Sequence, residues 1–281
     1  MDDYTRVTIT ASLQDACIAE AALSVSRVSG WLEESEGEKK VLTFYLPIDE
    51  SGEKKLESVM EELKGCPCSI DKGVLKGIDW ENDWKKNFKA KKIKDIIVTP
   101  PWDPVEPSEG EQVIVIEPGM AFGTGDHATT SLCIELTQKY AKNGSSYLDL
   151  GTGSAILSMA AALCGAGRIT GIDNDPVAVA EAKANLVRMN LSDRIEIIEG
   201  DAEEELSGQY DVVAANLFLH QVSNIISGGL PFLKDGGIFI GSGITVDQRP
   251  AAEEAVKNSC LEMIEVREEG LWIAFAARKR Q

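Results

Sequence analysis

The chain is poor in positive charge. Its 281 residues contain 28 Lys and Arg against 46 Asp and Glu, which gives a formal net charge of -18. This excess of negative charge argues against general nucleic-acid binding, because the phosphate backbone requires a basic surface. An acidic protein is instead suited to a basic protein partner. We therefore expect no direct reading of nucleic acid.

Patterns typical of metal sites, disulfides and membrane spans are also scarce. Only two histidines are present, and the six cysteines are scattered, with Cys66 and Cys68 too close together for the usual zinc-ligand pair. We predict no metal site and free thiols in a reducing cytosol. No long apolar run is present, and Asp2 and Asp3 are unlike the start of a signal peptide. A cytoplasmic protein without a membrane partner is expected, and its oligomeric state is left open.

What the sequence does contain is a glycine turn between an apolar strand and a helix. Residues 147–155 read Tyr-Leu-Asp-Leu-Gly-Thr-Gly-Ser-Ala. They predict a buried strand, a tight turn at Gly151 and Gly153, and a helix that begins near Ser154. Such a turn brings backbone N–H groups against a nucleoside-bearing ligand. Asp173 ends the next predicted strand, where a carboxylate can accept hydrogen bonds from both ribose hydroxyls.

The form of the glycine turn favours S-adenosylmethionine over a dinucleotide. A dinucleotide turn has glycine at the sixth position of G-x-G-x-x-G, where this chain has Ile156. S-adenosylmethionine has no pyrophosphate and tolerates a looser turn, and Asp149 is placed to hold its ammonium. Asp201 follows a third predicted strand, where it can accept from the adenine amino group; an ordinary aspartate in a turn is the alternative.

Strands and helices alternate through the C-terminal half of the chain. Segments that read as strands are 169–172, 195–198, 210–215, 238–240 and 271–276. This alternation predicts a Rossmann-like α/β domain with a doubly wound, mostly parallel sheet. Asn216 comes directly after one of these strands, and ligands of open α/β sheets bind at the carboxyl ends of the strands.

The first 76 residues show a different order of elements. Strand, helix, strand, strand, helix and strand are predicted at 5–11, 15–24, 30–33, 41–46, 54–63 and 69–75. This order predicts a small ferredoxin-like α+β domain over 1–76. Residues 77–112 are predicted to be a linker, with a helix marked by Trp80, Trp84 and Phe88 and then a proline-rich connector. The catalytic domain is expected over 113–281.

A second glycine-rich stretch lies just before the glycine turn, from Glu117 to Thr130. Its three glycines and one phenylalanine predict a lid whose backbone approaches a ligand. Thr129 or Thr130 is predicted to cap the helix that follows. A plain glycine loop is the alternative.

This stretch resembles the signature of the bacterial ribosomal protein methyltransferase A family, which methylates the large-subunit ribosomal protein L11. The matching run is Pro118-Gly119-Met120-Ala121-Phe122-Gly123-Thr124-Gly125, followed by His127, Thr129 and Thr130. The resemblance implies S-adenosylmethionine as cofactor, a basic ribosomal protein as substrate, and an N-terminal substrate-recognition domain, for which a dimerisation or scaffolding module is the alternative. The residues that it places against the cofactor are Thr130, Gly151, Asp173 and Asn216, with Phe122 and Gly123 near the sulfonium.

The chain departs from the usual pattern of that family in three places. Asp126 and Ala128 flank His127 where threonine and proline are usual, Ala155 replaces a glycine, and Leu-Phe-Leu follows Asn216 where Ile-Leu-Ala is usual. The first and last differences border the presumed substrate mouth. They bear on the identity of the substrate more than on the type of reaction.

Together these patterns predict an S-adenosylmethionine-dependent methyltransferase for lysine or N-terminal amines of a large-subunit ribosomal protein. The predicted catalytic residue is Asn216, whose amide would accept hydrogens from a neutral amine and aim its lone pair. Asp126, His127 or water would take the proton. The alternatives are a methyltransferase for another protein or a small molecule, a non-catalytic binding protein of the same fold, and a nicotinamide oxidoreductase, which Ile156 disfavours.

Overall fold

The computed structural model describes residues 4–12, 15–26, 28, 31–37, 39–75, 88–117, 127–206 and 208–281. The chain divides into two compact units, Met1–Asn87 and Phe88–Gln281. The predicted helix with Trp80 and Trp84 lies outside the described residues, and so does the glycine-rich run at 118–126.

The N-terminal unit has the predicted ferredoxin-like order. Its elements are β1 (Tyr4–Ser12), α1 (Ala16–Val25), β2 (Leu32–Glu36), β3 (Lys39–Pro47), α2 (Glu50–Glu62) and β4 (Cys68–Leu75). The strands form one antiparallel sheet in the order β2-β3-β1-β4. Side chains of a strand alternate between the two faces of a sheet, and Val7, Ile9 and Phe44 are buried in one core with residues of both helices.

Residues 88–112 are not the connector that the composition predicts. Three short strands, β5 (Lys91–Ile93), β6 (Ile96–Thr99) and β7 (Gln112–Val115), form a separate sheet inside the second unit. Ile93, Ile96 and Ile114 are buried in the same core as the helices that follow. Because β6 and β7 pair in parallel, the chain must return along the sheet between them, and the proline-rich loop provides this return.

The remaining elements of the second unit build an α/β domain. They are α3 (Ala128–Tyr140), β8 (Ser146–Leu150), α4 (Ile156–Leu163), β9 (Arg168–Asp173), α5 (Pro176–Arg188), β10 (Ile195–Glu199), α6 (Ala202–Glu205), β11 (Tyr210–Asn216), α7 (Leu219–Ser227), β12 (Leu233–Thr245), α8 (Arg249–Lys257), β13 (Leu261–Glu269) and β14 (Trp272–Lys279). The main sheet has seven strands in the order β10-β9-β8-β11-β12-β14-β13. Six of these seven strands run in the same direction, and β14 runs opposite to them, antiparallel to both β12 and β13. The predicted doubly wound, mostly parallel sheet is confirmed.

Helices cover both faces of the main sheet, and each face has its own core. Residues of α3, α4 and α5 pack on one face with Tyr147, and residues of α7 and α8 pack on the other with Phe239 and Phe275. The carboxyl ends of the parallel strands lie together at one edge of this sheet. In the part of the chain that the structure describes, no helix is long and apolar enough to cross a bilayer.

The strand order reverses beside β8. β9 lies on one side of β8 and β11 lies on the other. The loops that follow β8 and β11 therefore diverge and leave a crevice at the carboxyl edge, the usual ligand site of this architecture. Leu150 is the register partner of Ala215, so Gly151 and Asn216 face each other across this crevice.

Charged side chains join α3 to the edge strand β13. Glu135 pairs with Arg267, which also bonds Glu265, and Glu265 pairs with Lys139. Burial alone would raise the pKa of Glu265, but hydrogen bonds from Lys139 and Arg267 lower it to about 2. This network holds the helix whose first turn borders the crevice.

Candidate active site

A cleft of about 800 Å³ occupies the carboxyl edge of the main sheet. It is lined by the turn after β8, by the ends of β9, β10 and β11, and by the first residue of β14. Its volume is within the range of small-molecule sites, roughly 300–1,000 Å³. The cleft brings together six of the predicted site residues: Asp149, Gly151, Gly153, Asp173, Asp201 and Asn216.

The glycine turn is closed by hydrogen bonds to β9. The N–H groups of Gly151 and Thr152 donate to the carbonyl of Ile172 at 2.9 and 3.0 Å. Gly151 and Gly153 have φ angles of +67° and +53°, which glycine adopts without a Cβ clash. Helix α4 begins at Ile156, later than the predicted start near Ser154, because Ala155 also has a left-handed φ of +66°.

Asp149 fixes the glycine turn from within the core. Its Oδ2 accepts hydrogen bonds from Thr152 Oγ1 and Ser158 Oγ, both at 2.8 Å, and from the Ser158 N–H at 3.1 Å. The side chain is almost completely buried, and this burial raises its pKa from 3.8 to about 6. The predicted contact of Asp149 with an ammonium stays a prediction, whereas its role in ordering the turn was not foreseen from the sequence.

Asp149 is expected to make the protein less stable as the pH rises from about 4 to about 6. In this window the folded state holds a proton on Asp149 that the unfolded chain has lost, so the unfolded state binds fewer protons and stability falls with pH. Above the folded-state pKa both states are ionised and the effect is complete. Asp149→Asn removes this titration. We subtract the unfolding free energy of Asp149→Asn from that of wild type, both measured in urea. This difference should be more positive at pH 4 than at pH 7, by up to about 3 kcal/mol. A difference that does not change with pH would contradict this expectation.

Asp173 turns its carboxylate towards the glycine turn. Oδ2 accepts from the Gly153 N–H at 2.9 Å, and Oδ1 accepts from the Asp175 N–H at 3.1 Å. An ionised carboxylate has about four acceptor positions, so this group retains capacity to accept hydrogen bonds from a ligand in the cleft that it lines. The predicted bonds to ribose hydroxyls are compatible with this geometry and stay a prediction.

Asn216 carries an unusual buried acceptor. Its Oδ1 is buried and has no hydrogen-bond partner in the described ranges, and the same holds for Oγ1 of Thr130 in the first turn of α3. A buried acceptor without a partner costs about 1–3 kcal/mol, and such groups are rare unless a ligand or water supplies a donor. Asn216 lines the cleft, whereas Thr130 is not among the residues that line it. The predicted cofactor contact of Thr130 stays a prediction.

His127 caps α3, so the prediction of Thr129 or Thr130 as the cap was wrong. Nδ1 of His127 accepts from the Thr129 N–H at 3.4 Å and lies 2.7 Å from Thr129 Oγ1. Both threonines fall inside the first turn, because the imidazole of the residue before the helix accepts from the Thr129 N–H. The ring also contacts Trp272 edge to face, with centroids 4.7 Å apart. Trp272 lines the cleft because β14 is antiparallel and therefore begins at the carboxyl edge of the parallel strands.

Two glycines hold the loop that follows Asn216. A Cβ at Gly243 would lie 2.2 Å from the carbonyl oxygen of Leu217, and a Cβ at Gly151 would lie 2.6 Å from Leu217 Cδ2. The N–H of Leu217 donates to the carbonyl of Ser242 at 3.1 Å. Leu217 is thus held between these two glycines. This contact could not be predicted from the sequence, because Gly243 lies 26 residues after Leu217 in the chain.

Replacing Gly243 with alanine is expected to destabilise the protein by about 3 kcal/mol. Its φ of +82° strains a residue with a Cβ, and the added methyl would overlap a backbone carbonyl, which cannot turn aside as a side-chain end can. Gly270→Ala is the matched control, since Gly270 has a φ of +60° but no atom within 4 Å of the added Cβ. Urea denaturation of both variants separates the steric effect from the backbone strain. Equal losses would show that the Leu217 loop moves without cost.

Asn185 is a further residue near the site whose role was not predicted from the sequence. Its Nδ2 donates to the carbonyl of Ser154 at 3.2 Å, and its Oδ1 accepts from the N–H of Glu117 at 3.4 Å. Glu117 is the last described residue before the glycine-rich run. This buried amide therefore connects the glycine turn with the base of that run. The one sign of Asn185 in the sequence is that it is a polar residue at a core-facing position of α5.

The other predicted site residues give less information. Asp201 precedes α6, and its carbonyl accepts from the N–H of Glu205 at 3.0 Å. Phe122 and Gly123 lie outside the described residues, as does Asp126. Within the described ranges, no group of three or more His, Cys, Asp or Glu side chains is arranged to hold a metal ion.

Known proteins resemble this chain over most of its length. Residues 9–280 match the family described as Ribosomal protein L11 methyltransferase (PrmA). The Ribosomal protein L11 methyltransferase of Pelotomaculum thermopropionicum is 36% identical over 239 residues, which cover 83% of this chain and 78% of that protein. The protein of the same name from Clostridium botulinum (strain Eklund 17B) is 37% identical over 254 residues, which cover 87% of this chain and 81% of that protein.

One solved structure shares the fold over most of the chain. The crystal structure of ribosomal protein L11 methylase from Lactobacillus delbrueckii subsp. bulgaricus superposes with a TM-score of 0.65 at 24% identity, covering 69% of this chain and 100% of that chain. The family match over residues 9–280 confirms the resemblance found in the sequence. This chain belongs to the ribosomal protein L11 methyltransferase family.

Proposed function

We propose that this protein uses S-adenosylmethionine to methylate lysine side chains or the N-terminal amine of ribosomal protein L11. Its family membership supports methyl transfer and the ribosomal substrate. The observation that carries the assignment of chemistry to this cleft is the buried Oδ1 of Asn216. It is an acceptor, as an amine N–H requires, and it lies across the crevice from the glycine turn.

The residues of the cleft fit S-adenosylmethionine. Gly151 and Gly153 bring backbone close to a ligand without intervening side chains, and Asp173 offers acceptors at the end of the next strand. Asp149 and Asp201 add carboxyl groups to a cleft that takes a positively charged cofactor. When it is bound, the cofactor supplies a methyl group that its sulfonium has already activated.

The protein contributes placement of the acceptor amine. Asn216 Oδ1 accepts an N–H of the neutral amine and turns the nitrogen lone pair towards the methyl group, and such placement contributes up to about 7–11 kcal/mol in favourable cases. A lysine, with an unperturbed pKa near 10.4, must first lose its proton, and burial in the cleft favours that loss. Nδ1 of His127 is engaged with Thr129 and is therefore a poor candidate for the proton acceptor.

We assign recognition of the acceptor protein to the N-terminal unit. Its helices share a core with one face of the sheet, and the opposite face carries Arg6, Thr8 and Thr10 on β1. Side chains at these positions are partly or fully exposed and polar, as at the rim of a protein interface. The net charge of -18 suits a basic ribosomal protein in the cytoplasm.

Transfer of labelled methyl groups to unmethylated recombinant L11 tests this proposal. We expect incorporation that depends on S-adenosylmethionine and that mass spectrometry maps to lysine or N-terminal amines. L11 with chemically acetylated amines is the matched control and should remain unlabelled. Label found only in another component of a cell lysate would favour a different acceptor. Cofactor binding without transfer to any acceptor would favour a non-catalytic protein.

A further inference from the structure

We infer that Phe218 is a specificity-determining residue whose ring forms the wall along which the amine-bearing chain of the acceptor enters the cleft. This inference rests on the proposed function and states how the same site selects its acceptor. It concerns the middle residue of the Leu-Phe-Leu stretch after Asn216, where the sequence differs from the usual pattern of the family.

Phe218 combines high exposure with a place in the cleft. Its side chain is 70% exposed, and it lines the cleft two residues after Asn216. An isolated exposed apolar side chain is ordinary on a protein surface. Phe218, in contrast, lines the same cavity as Asn216, whose Oδ1 is buried without a partner in the described part of the chain, so it belongs to the rim of a site.

The backbone that carries the Phe218 ring is held by hydrogen bonds before any substrate arrives. The N–H of Phe218 donates to Gln221 Oε1 at 3.3 Å, and its carbonyl accepts from the Gln221 N–H at 2.9 Å. Leu217, on its N-terminal side, is held between Gly151 and Gly243. The Phe218 ring lies nearly parallel to the His220 ring, with centroids 6.1 Å apart and an interplanar angle of 12°. A backbone that is already held loses little freedom when a substrate binds, which favours the contact.

The chemistry of a phenyl ring matches the chain that carries an amine. Before deprotonation the acceptor is an ammonium ion, which is attracted to an aromatic face within about 6 Å of the ring centroid. The methylene groups behind it pack on the same apolar surface. Asp173 and Asp201 line the same cleft and attract the cation, and Asn216 lines this cleft as well. Phe218 thus favours amines on flexible alkyl chains.

Steady-state kinetics of Phe218→Ala and Phe218→Leu, with L11 as acceptor, test this role. We expect the KM for L11 to rise about three- to tenfold for Phe218→Ala and less for Phe218→Leu, which keeps apolar contact but loses the aromatic face. The dissociation constant of S-adenosylhomocysteine, measured by calorimetry, should stay within about twofold of wild type. Val187→Ala is the matched control, because Val187 is 67% exposed on α5 and is not among the residues that line the cleft.

The outcomes separate this inference from the proposed function. If Phe218→Ala weakens cofactor binding and leaves the KM for L11 unchanged, the ring covers the adenosine and the inference is wrong. If neither quantity changes, the ring has no role in selection. If the wild-type protein transfers no methyl group to any amine, the proposed function fails and this inference fails with it.

Discussion

Replacing Asn216 with alanine is expected to lower kcat for methyl transfer about a hundredfold or more while leaving the fold as stable as before. Loss of a group that positions reacting atoms commonly costs this much. The stability expectation follows from the buried Oδ1, which has no hydrogen-bond partner among the described residues. Removing such an acceptor ends a desolvation penalty and breaks no bond of the described fold. Stopped-time methyl-transfer assays and thermal unfolding of the same preparations measure the two effects.

This combination distinguishes a functional residue from a structural one. When a side chain that holds the fold together is removed, the protein loses stability and activity together. A catalytic side chain, in contrast, is often retained at a cost in the stability of the protein. A fall in the unfolding temperature of several degrees in Asn216→Ala would therefore contradict our assignment. Unchanged kcat would contradict it as well.

Asn216→Asp gives a second test at the same position. The aspartate keeps the size of the side chain but adds a negative charge beside the amine. That charge favours the ammonium form, which has no lone pair for the methyl group. We therefore expect reduced kcat at neutral pH and a pH–rate profile displaced to higher pH, with cofactor affinity close to wild type. The displaced profile is the result that a merely distorted loop does not produce.

The parts of this molecule that the sequence predicted well are those set by local patterns. Apolar runs of four to six residues predicted the parallel strands because these strands are buried on both faces. The positions of Gly151, Asp173 and Asn216 then followed from one rule, that the ends of parallel strands meet at one edge. The edge strand β13 was not predicted, because its outward face is rich in glutamate.

The parts that the sequence did not predict depend on contacts between distant residues. Gly243 packs closely against the backbone of Leu217, and Asn185 forms hydrogen bonds with Ser154 and Glu117. Both contacts join segments that are far apart in the chain. Trp272 reached the cleft only because β14 runs antiparallel, and a single strand does not reveal its direction. The strands at 91–115 were not predicted, because lysines and prolines give this segment the composition of a linker.

Asp173→Ala is expected to weaken binding of S-adenosylmethionine and S-adenosylhomocysteine at least about a hundredfold. Hydrogen bonds to a charged group contribute about 1.5–3 kcal/mol each, and two ribose hydroxyls would lose their acceptors together. The variant also removes the acceptor of the Gly153 N–H, so the glycine turn loses its link to the end of β9. Both effects act on the cofactor end of the cleft. Isothermal titration calorimetry with each ligand measures them directly.

Two further variants separate direct contact of Asp173 with the cofactor from the general effect of negative charge in the cleft. Asp173→Asn keeps one acceptor oxygen and places an amide beside the N–H of Gly153 or Asp175, so an intermediate loss of about tenfold is expected. Asp175→Ala removes an equal charge two residues further on, where the carboxylate caps α5 through the Val177 N–H. It should lower the unfolding temperature slightly and leave affinity within about threefold of wild type. If Asp173→Ala and Asp175→Ala weaken binding equally, the carboxylate of Asp173 acts only through its charge. If neither weakens it, the ribose lies elsewhere and the cleft at the end of β9 is not the cofactor site.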